Sequence, residues 1–129
     1  MIKMKGRLLL FDTLDKTGLF FPQNCELTYP EKVPVIREFS YDDPDAVLGS
    51  ATVSKDEKGL VCDVELINFD RDVLLRAFND ELYIGGYYDA VDSWYADDRR
   101  MITKAALLGI STVFAPAHEE MKMKVVGEQ

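Results

Sequence analysis

The clearest signal along the chain is a period of two. At residues 60–67, Leu60, Cys62, Val64 and Leu66 fall on one side, and Val61, Asp63 and Glu65 fall on the other. That is a strand with one buried and one wetted face. Residues 48–54 form an apolar-rich partner, and the polar link Lys55-Asp56-Glu57-Lys58-Gly59 ends in glycine. Together they predict a β-hairpin. Upstream, residues 5–11 read as a buried strand ending at Asp12, and 13–24 as a loop around the short apolar piece 19–21. Residues 33–39 read as a strand followed by the acidic turn Asp42-Asp43-Pro44-Asp45.

The pattern changes period once. Val73, Leu74, Ala77 and Phe78 follow Asp70 at helical spacing, so residues 70–79 predict a short helix capped by Asp70 and ended by Asn79-Asp80. A helix this short needs the sheet to hold it. Residues 82–96 are aromatic and strand-prone, with Gly85-Gly86 suggesting a bulge or a close backbone approach. Asp97-Asp98-Arg99-Arg100 reads as a turn, and 101–114 as one long strand or two with a bend at Gly109, stopped by Pro116. A short helix is expected at 117–121 and an edge strand at 121–126. No repeat or linker interrupts the chain, so the expectation is one domain over 1–129. It is mainly β (α+β): a barrel or sandwich with one or two short helices.

Charge narrows the partners. With 15 basic against 23 acidic residues, net −8, neither a nucleic-acid groove nor an anionic membrane surface is expected. The apolar stretch 8–11 is too short for a signal-peptide core or a membrane span, which points to synthesis in a cytoplasm. Cys25 and Cys62 lie far apart and outside any C-x-x-C pair, so they frame no metal site; Cys62 reads as a small buried hydrophobe.

Candidate chemistry is sparse. Any imidazole-based mechanism must use His118, the only histidine, and a lone histidine in Ala-Pro-Ala-His is ordinarily a structural or solvated residue. Ser111 is near it in sequence, but proximity along a strand does not define a triad. The clusters Asp42, Asp43, Asp45 and Asp89, Asp92, Asp97, Asp98 lack calcium-loop spacing and read as solvated turns. No phosphate loop, dinucleotide fingerprint or nucleophile elbow is present, and no cofactor or metal is expected. The aromatics Tyr83, Tyr87, Tyr88, Trp94 and Tyr95 crowd one segment. They read as cross-strand core pairs or as a protein-contact patch, with Tyr88 and Trp94 the natural anchors if exposed.

Several segments, taken in order, resemble the prohead (capsid-maturation) serine proteases of tailed phages, a family sharing its fold with the herpesvirus assemblins. Val33-Pro34-Val35-Ile36 is similar to the strand leading to the family histidine. Leu48-Gly49-Ser50-Ala51 resembles its Ile-Gly-x-Ala strand, and Lys58-Gly59-Leu60 the end of its Asp-x-x-Gly-Leu hairpin. The helix from Asp70 falls where the family has one. Leu82-Tyr83-Ile84-Gly85 resembles its Leu-Ser-Ile-Gly motif, and residues 108–113 followed by Pro116-Ala117 its final strand. The likeness covers about residues 33–118. It places Phe39 at the family histidine, Tyr83 at the nucleophilic serine and Gly109 at the acidic position. Phenylalanine accepts no proton, tyrosine without a base is a poor nucleophile, and glycine orients nothing.

The resemblance therefore implies the fold without the enzyme: a non-catalytic, auxiliary or decoration protein of the phage virion. It would be made in the host cytoplasm and bound to the major capsid protein or other virion proteins. Contact through Tyr87, Tyr88, Trp94 and Tyr95 is expected, and homo-oligomerisation is left open. Two alternatives stand beside it: an active maturation protease or other hydrolase with atypical residues, and a small bacterial β binding module.

Overall fold

A computed structural model describes residues 1–38 and 43–128. Among the described residues, nine strands and one α-helix follow in order: β1 (Ile2–Leu10), β2 (Leu19–Phe20), β3 (Glu26–Thr28), β4 (Lys32–Arg37), β5 (Val47–Lys55), β6 (Gly59–Leu66), α1 (Arg71–Phe78), β7 (Glu81–Ala96), β8 (Arg99–Thr112) and β9 (Lys122–Glu128). All strands belong to one sheet, so the fold is mostly β, as the alternating pattern requires. Pairing runs β8-β4-β5-β6-β1-β9-β7 and returns to β8, closing a ring of strand hydrogen bonds. β4 joins β8 in parallel, and the other pairs around the ring are antiparallel. The short strands β2 and β3 add in parallel to β8.

The predicted hairpin forms as β5 and β6, paired from Gly49↔Leu66 to Lys55↔Leu60. Leu60, Cys62, Val64 and Leu66 are all buried, and Asp63 and Glu65 are exposed. The turn is held by Asp56, whose Oδ1 accepts from the backbone N–H groups of Lys58 (3.0 Å) and Gly59 (2.9 Å). Both carboxylate oxygens also accept from the Arg7 guanidinium, each at 2.7 Å, which clips the hairpin to β1. Gly59 has φ 154°, and a Cβ there would meet the Leu9 carbonyl oxygen at 1.9 Å. Glycine alone lets β1 approach. The same holds at Gly49, where a Cβ would lie 1.9 Å from the Glu65 carbonyl oxygen.

Helix α1 starts as its cap predicts. Asp70 accepts from the N–H groups of Asp72 and Val73, and Asn79 ends the helix in the left-handed conformation at φ 54°. Only Leu74 is fully buried along it, and the partly buried Phe78 packs against the core beside it.

The core fills the inside of the ring with Met4, Leu8, Leu60, Leu74, Ile84, Ile102, Leu107, Ile110 and Met123. Four expectations change. The edge strand expected at 121–126 forms as β9 but lies between β1 and β7, paired on both sides. Residues 117–121 form bends and a turn, not a helix, because their polar groups are taken locally: the Glu120 N–H donates to His118 Nδ1 (3.1 Å) and the Met121 N–H to the His118 carbonyl (3.0 Å). The turn after β7 is only Asp97-Asp98, since Arg99 and Arg100 are already paired in β8. The bulge expected at Gly85-Gly86 falls just beyond it, between Tyr87 and Tyr88. Gly86 instead gives a close approach: a Cβ there would lie 2.5 Å from the Tyr88 ring.

Candidate functional site

Two regions hold the residues singled out by the sequence. The first is a cleft of about 790 Å³ at the end of the ring near α1. The start of β7 supplies Tyr83, the helix end Phe78 and Asn79, the end of β8 Thr112, and the chain beyond it Val113 and Phe114. Backbone bonding fixes the walls: the Val113 N–H donates to the Tyr83 carbonyl (2.9 Å), and the Phe114 N–H to Glu38 Oε2 (3.0 Å). Phe69 meets Phe78 edge-on at 6.4 Å between centroids. The charged rim is internally paired, with Glu81 accepting from Lys124 (3.1 Å) and Lys122 (3.3 Å). Those two ammonium groups, Lys124 foremost, hold the Glu81 carboxyl below its usual range. Arg71 binds the Asp80 carboxylate through both guanidinium nitrogens at the back of the helix end.

Tyr83 thus sits in a cleft. The other two aligned positions do not join it there. Gly109 pairs with Tyr87, four residues along β8 from Val113, or roughly 13 Å at the rise of a strand. Phe39 and Asp42 lie outside the described residues. His118 is not among the residues lining the cleft. It occupies the turn before β9 and accepts from Glu120, the solvated structural use expected of it. Ser111 is buried in β8 between Gly85 and Ile36.

The cysteines are shielded too. Both are free and buried. Burial pushes the Cys62 thiol up to about 12 and raises that of Cys25, so little thiolate forms at neutral pH. Asp43 caps the turn at Pro44–Ala46 by accepting from Asp45, and Asp98 pairs with Arg99. Asp43 and Asp98 serve turns as expected, but Asp89 and Asp92, read as part of a solvated turn, lie within strand β7.

The second region is the outer face of the long β7–β8 hairpin. Tyr87 (46% exposed), Val91 (53%) and Trp94 (53%) lie along β7, with Leu108 (48%) beside them on β8. Register explains the row. Between Ala90 and Asp92 the β7–β8 pairing shifts, and Val91 is the extra residue. The bulge leaves both Val91 and Asp92 exposed. Leu108 is likewise skipped between the pairs Tyr87↔Gly109 and Tyr88↔Leu107. At the hairpin tip Tyr95 is 80% exposed and carries the Arg100 guanidinium at 5.8 Å from its ring.

Tyr88 does not share this surface. It points inward, packs on the Phe21 ring at 5.1 Å and joins the core. Its hydroxyl is buried with no hydrogen-bond partner, and burial raises the phenol well above its ordinary range. The aromatic cluster therefore divides: Tyr88 belongs to the core, while Tyr83, Tyr87, Trp94 and Tyr95 face outward.

Compared with protein-family models, curated proteins and solved structures, the chain has no match. Among the described residues no helix is long and apolar enough to cross a membrane.

Proposed function

We propose that this chain is a non-catalytic docking protein, an auxiliary component of a phage capsid that binds other virion proteins through the outer face of the β7–β8 hairpin. The observation that carries the docking reading is the row Tyr87, Val91, Trp94 and Leu108. These large apolar side chains stand on a paired two-stranded scaffold instead of a loose loop, and aromatic residues on rigid elements are the usual anchors of protein interfaces. The virion setting comes from the ordered motifs of residues 33–118 and their likeness to maturation proteases. The cleft at Tyr83 supports the non-catalytic part. Tyr83 is lined there by aromatic rings and by the paired Glu81 and Lys122, with no histidine among the lining residues.

Co-sedimentation with purified capsids tests the reading. The wild-type protein is expected to pellet with the particles and to appear in mass spectra of virions at high copy number. The pair Trp94→Ala and Leu108→Ser should lose most of the bound fraction with an unchanged melting temperature. A wild-type protein absent from virions and left in the supernatant would sink the capsid assignment.

A further inference from the structure

The two edges of β7 are used unequally. β8 pairs with it along almost its whole length, from Ile84↔Thr112 to Ala96↔Arg99. On its other edge β9 reaches only Glu81, Leu82 and Tyr83, and the Ile84 N–H donates to the Met121 carbonyl. Beyond that, over residues 89–96, no described strand or loop pairs with the backbone on this side. A sheet edge left open presents a row of backbone donors and acceptors. Here it borders the row of Val91 and Trp94.

Natural edges are commonly guarded by lysine, proline or a bulge. This one has the bulge at Val91, but no proline, and no lysine or arginine from Glu81 to Asp98. Its charges are all acidic: Asp89, Asp92, Asp97 and Asp98. The basic residues on β8 are largely engaged elsewhere. Arg99 pairs with Asp98 and lies over Phe20, and Arg100 binds Ser93 and Tyr95. Lys104 is the cross-strand neighbour of Asp92, which leaves Asp89, opposite Ala106, with no basic cross-strand partner.

We propose that the edge of β7 at residues 89–96 accepts an extended, lysine- or arginine-bearing segment of a partner protein as an added strand. Backbone bonds to the open edge supply affinity. The segment's lysines or arginines, which fall on the outer face, reach Asp89 and Asp92 and lay their apolar stems along Val91 and Trp94, while its alternate apolar side chains fall on the inner face beside Ala90. A second copy of this chain is the poorer occupant: an antiparallel two-fold about residues 90 and 91 sets Asp89 of one copy directly opposite Asp92 of the other, and like charges across a pair repel. The inference deepens the docking reading by naming the partner's chemistry, and it does not depend on the capsid.

Trp94 is the only tryptophan, so its emission reports on this edge. The probe is a capped ten-residue peptide alternating lysine and valine. Its comparisons are a glutamate–valine peptide and two lysine–valine peptides N-methylated at every second residue, one for each register. The lysine–valine peptide should shift Trp94 emission saturably. The glutamate peptide should give no shift, and at least one methylated peptide should bind about tenfold more weakly, having lost two or three ladder donors. Joint Asp89→Asn and Asp92→Asn substitution should weaken binding about tenfold with little change in the melting temperature. Equal binding of all three lysine peptides would reduce the effect to charge adsorption and overturn the strand, as would absence of any binding. Sedimentation of the protein alone as a dimer that excludes the peptide would give the edge to a second copy. Loss of capsid binding with peptide binding intact would fault the virion reading only.

Discussion

The β5–β6 side of the ring and the β7–β8 hairpin are built from the same kind of alternating sequence but end in different states. β5 and β6 have strand partners on both edges, and their inner side chains are buried without exception from Leu60 to Leu66 at alternate positions. Along β7 the inner row also begins buried, at Leu82 and Ile84, and passes through Tyr88 and Ala90 against the core. By Trp94 and Tyr95 the strand stands largely in solvent, and its second edge is open. Alternation fixes which residues share a face. How far the core extends beneath that face depends on strands distant in the chain.

This contrast can be broken most severely from the packed side. Leu60→Ala removes a fully buried side chain and should cost about 2–5 kcal/mol in urea unfolding. A loss below about 1 kcal/mol would mean that this wall of the ring is looser than its burial implies.

Asp56→Asn attacks the clip between β1 and the β5–β6 turn. Asp56 is well exposed to water while Arg7 is mostly covered, so screening limits the expected loss to about 1 kcal/mol at neutral pH. The Arg7 guanidinium, with the Gly59 and Lys58 amides, holds the Asp56 carboxyl far below its usual value. The folded state therefore favours the ionised carboxylate. This contribution is complete above the ordinary carboxylate range, about pH 4, and fades as pH falls below it. Urea midpoints of the wild type and Asp56→Asn should accordingly converge in acid; a gap that widens there contradicts the ion-pair account.

On the hairpin side the effects shrink. Tyr88→Phe deletes a buried hydroxyl without a partner, and stability should stay level or rise by up to about 1 kcal/mol. A marked drop in the thermal midpoint would reveal a bond to that hydroxyl. Trp94→Ala should move the melting free energy by no more than about 0.5 kcal/mol. A larger loss would place Trp94 in the fold instead of at its surface.

The legible parts of the sequence were those set by local chemistry. Asp70 and Asn79 bracket α1 because capping is decided within a few residues, and Asp56 with Gly59 marks its turn for the same reason. The parallel pairings of β2, β3 and β4 with β8 join segments far apart in sequence, and nothing in Leu19–Phe20 or Glu26–Thr28 announces Arg100 or Lys104 as neighbours. The aromatic division has two parts. The period of two from Leu82 and Ile84 puts Tyr88, not its neighbour Tyr87, on the inner row, while the Phe21 ring that covers it comes from another part of the chain with no local signal. The cleft at Tyr83 was not legible in the sequence. Its walls come from β7, β8, α1 and the end of β4, with no shared local signature. The open edge of β7 had no signal at all, since it exists only because β9 stops pairing with it at Tyr83.

The position of β9 also governs the order in which the molecule can become complete. It is the strand that joins β1 to β7, the first long strand to the hairpin made much later. Until residues 122–128 have been synthesised, the growing chain holds two unsealed rims, and its apolar interior stays open to water between them. Closure is thus a long-range event that waits for the last strand of the ring, the kind of topology that folds slowly. A chain stalled before β9 would expose a sticky, half-built sheet during that interval.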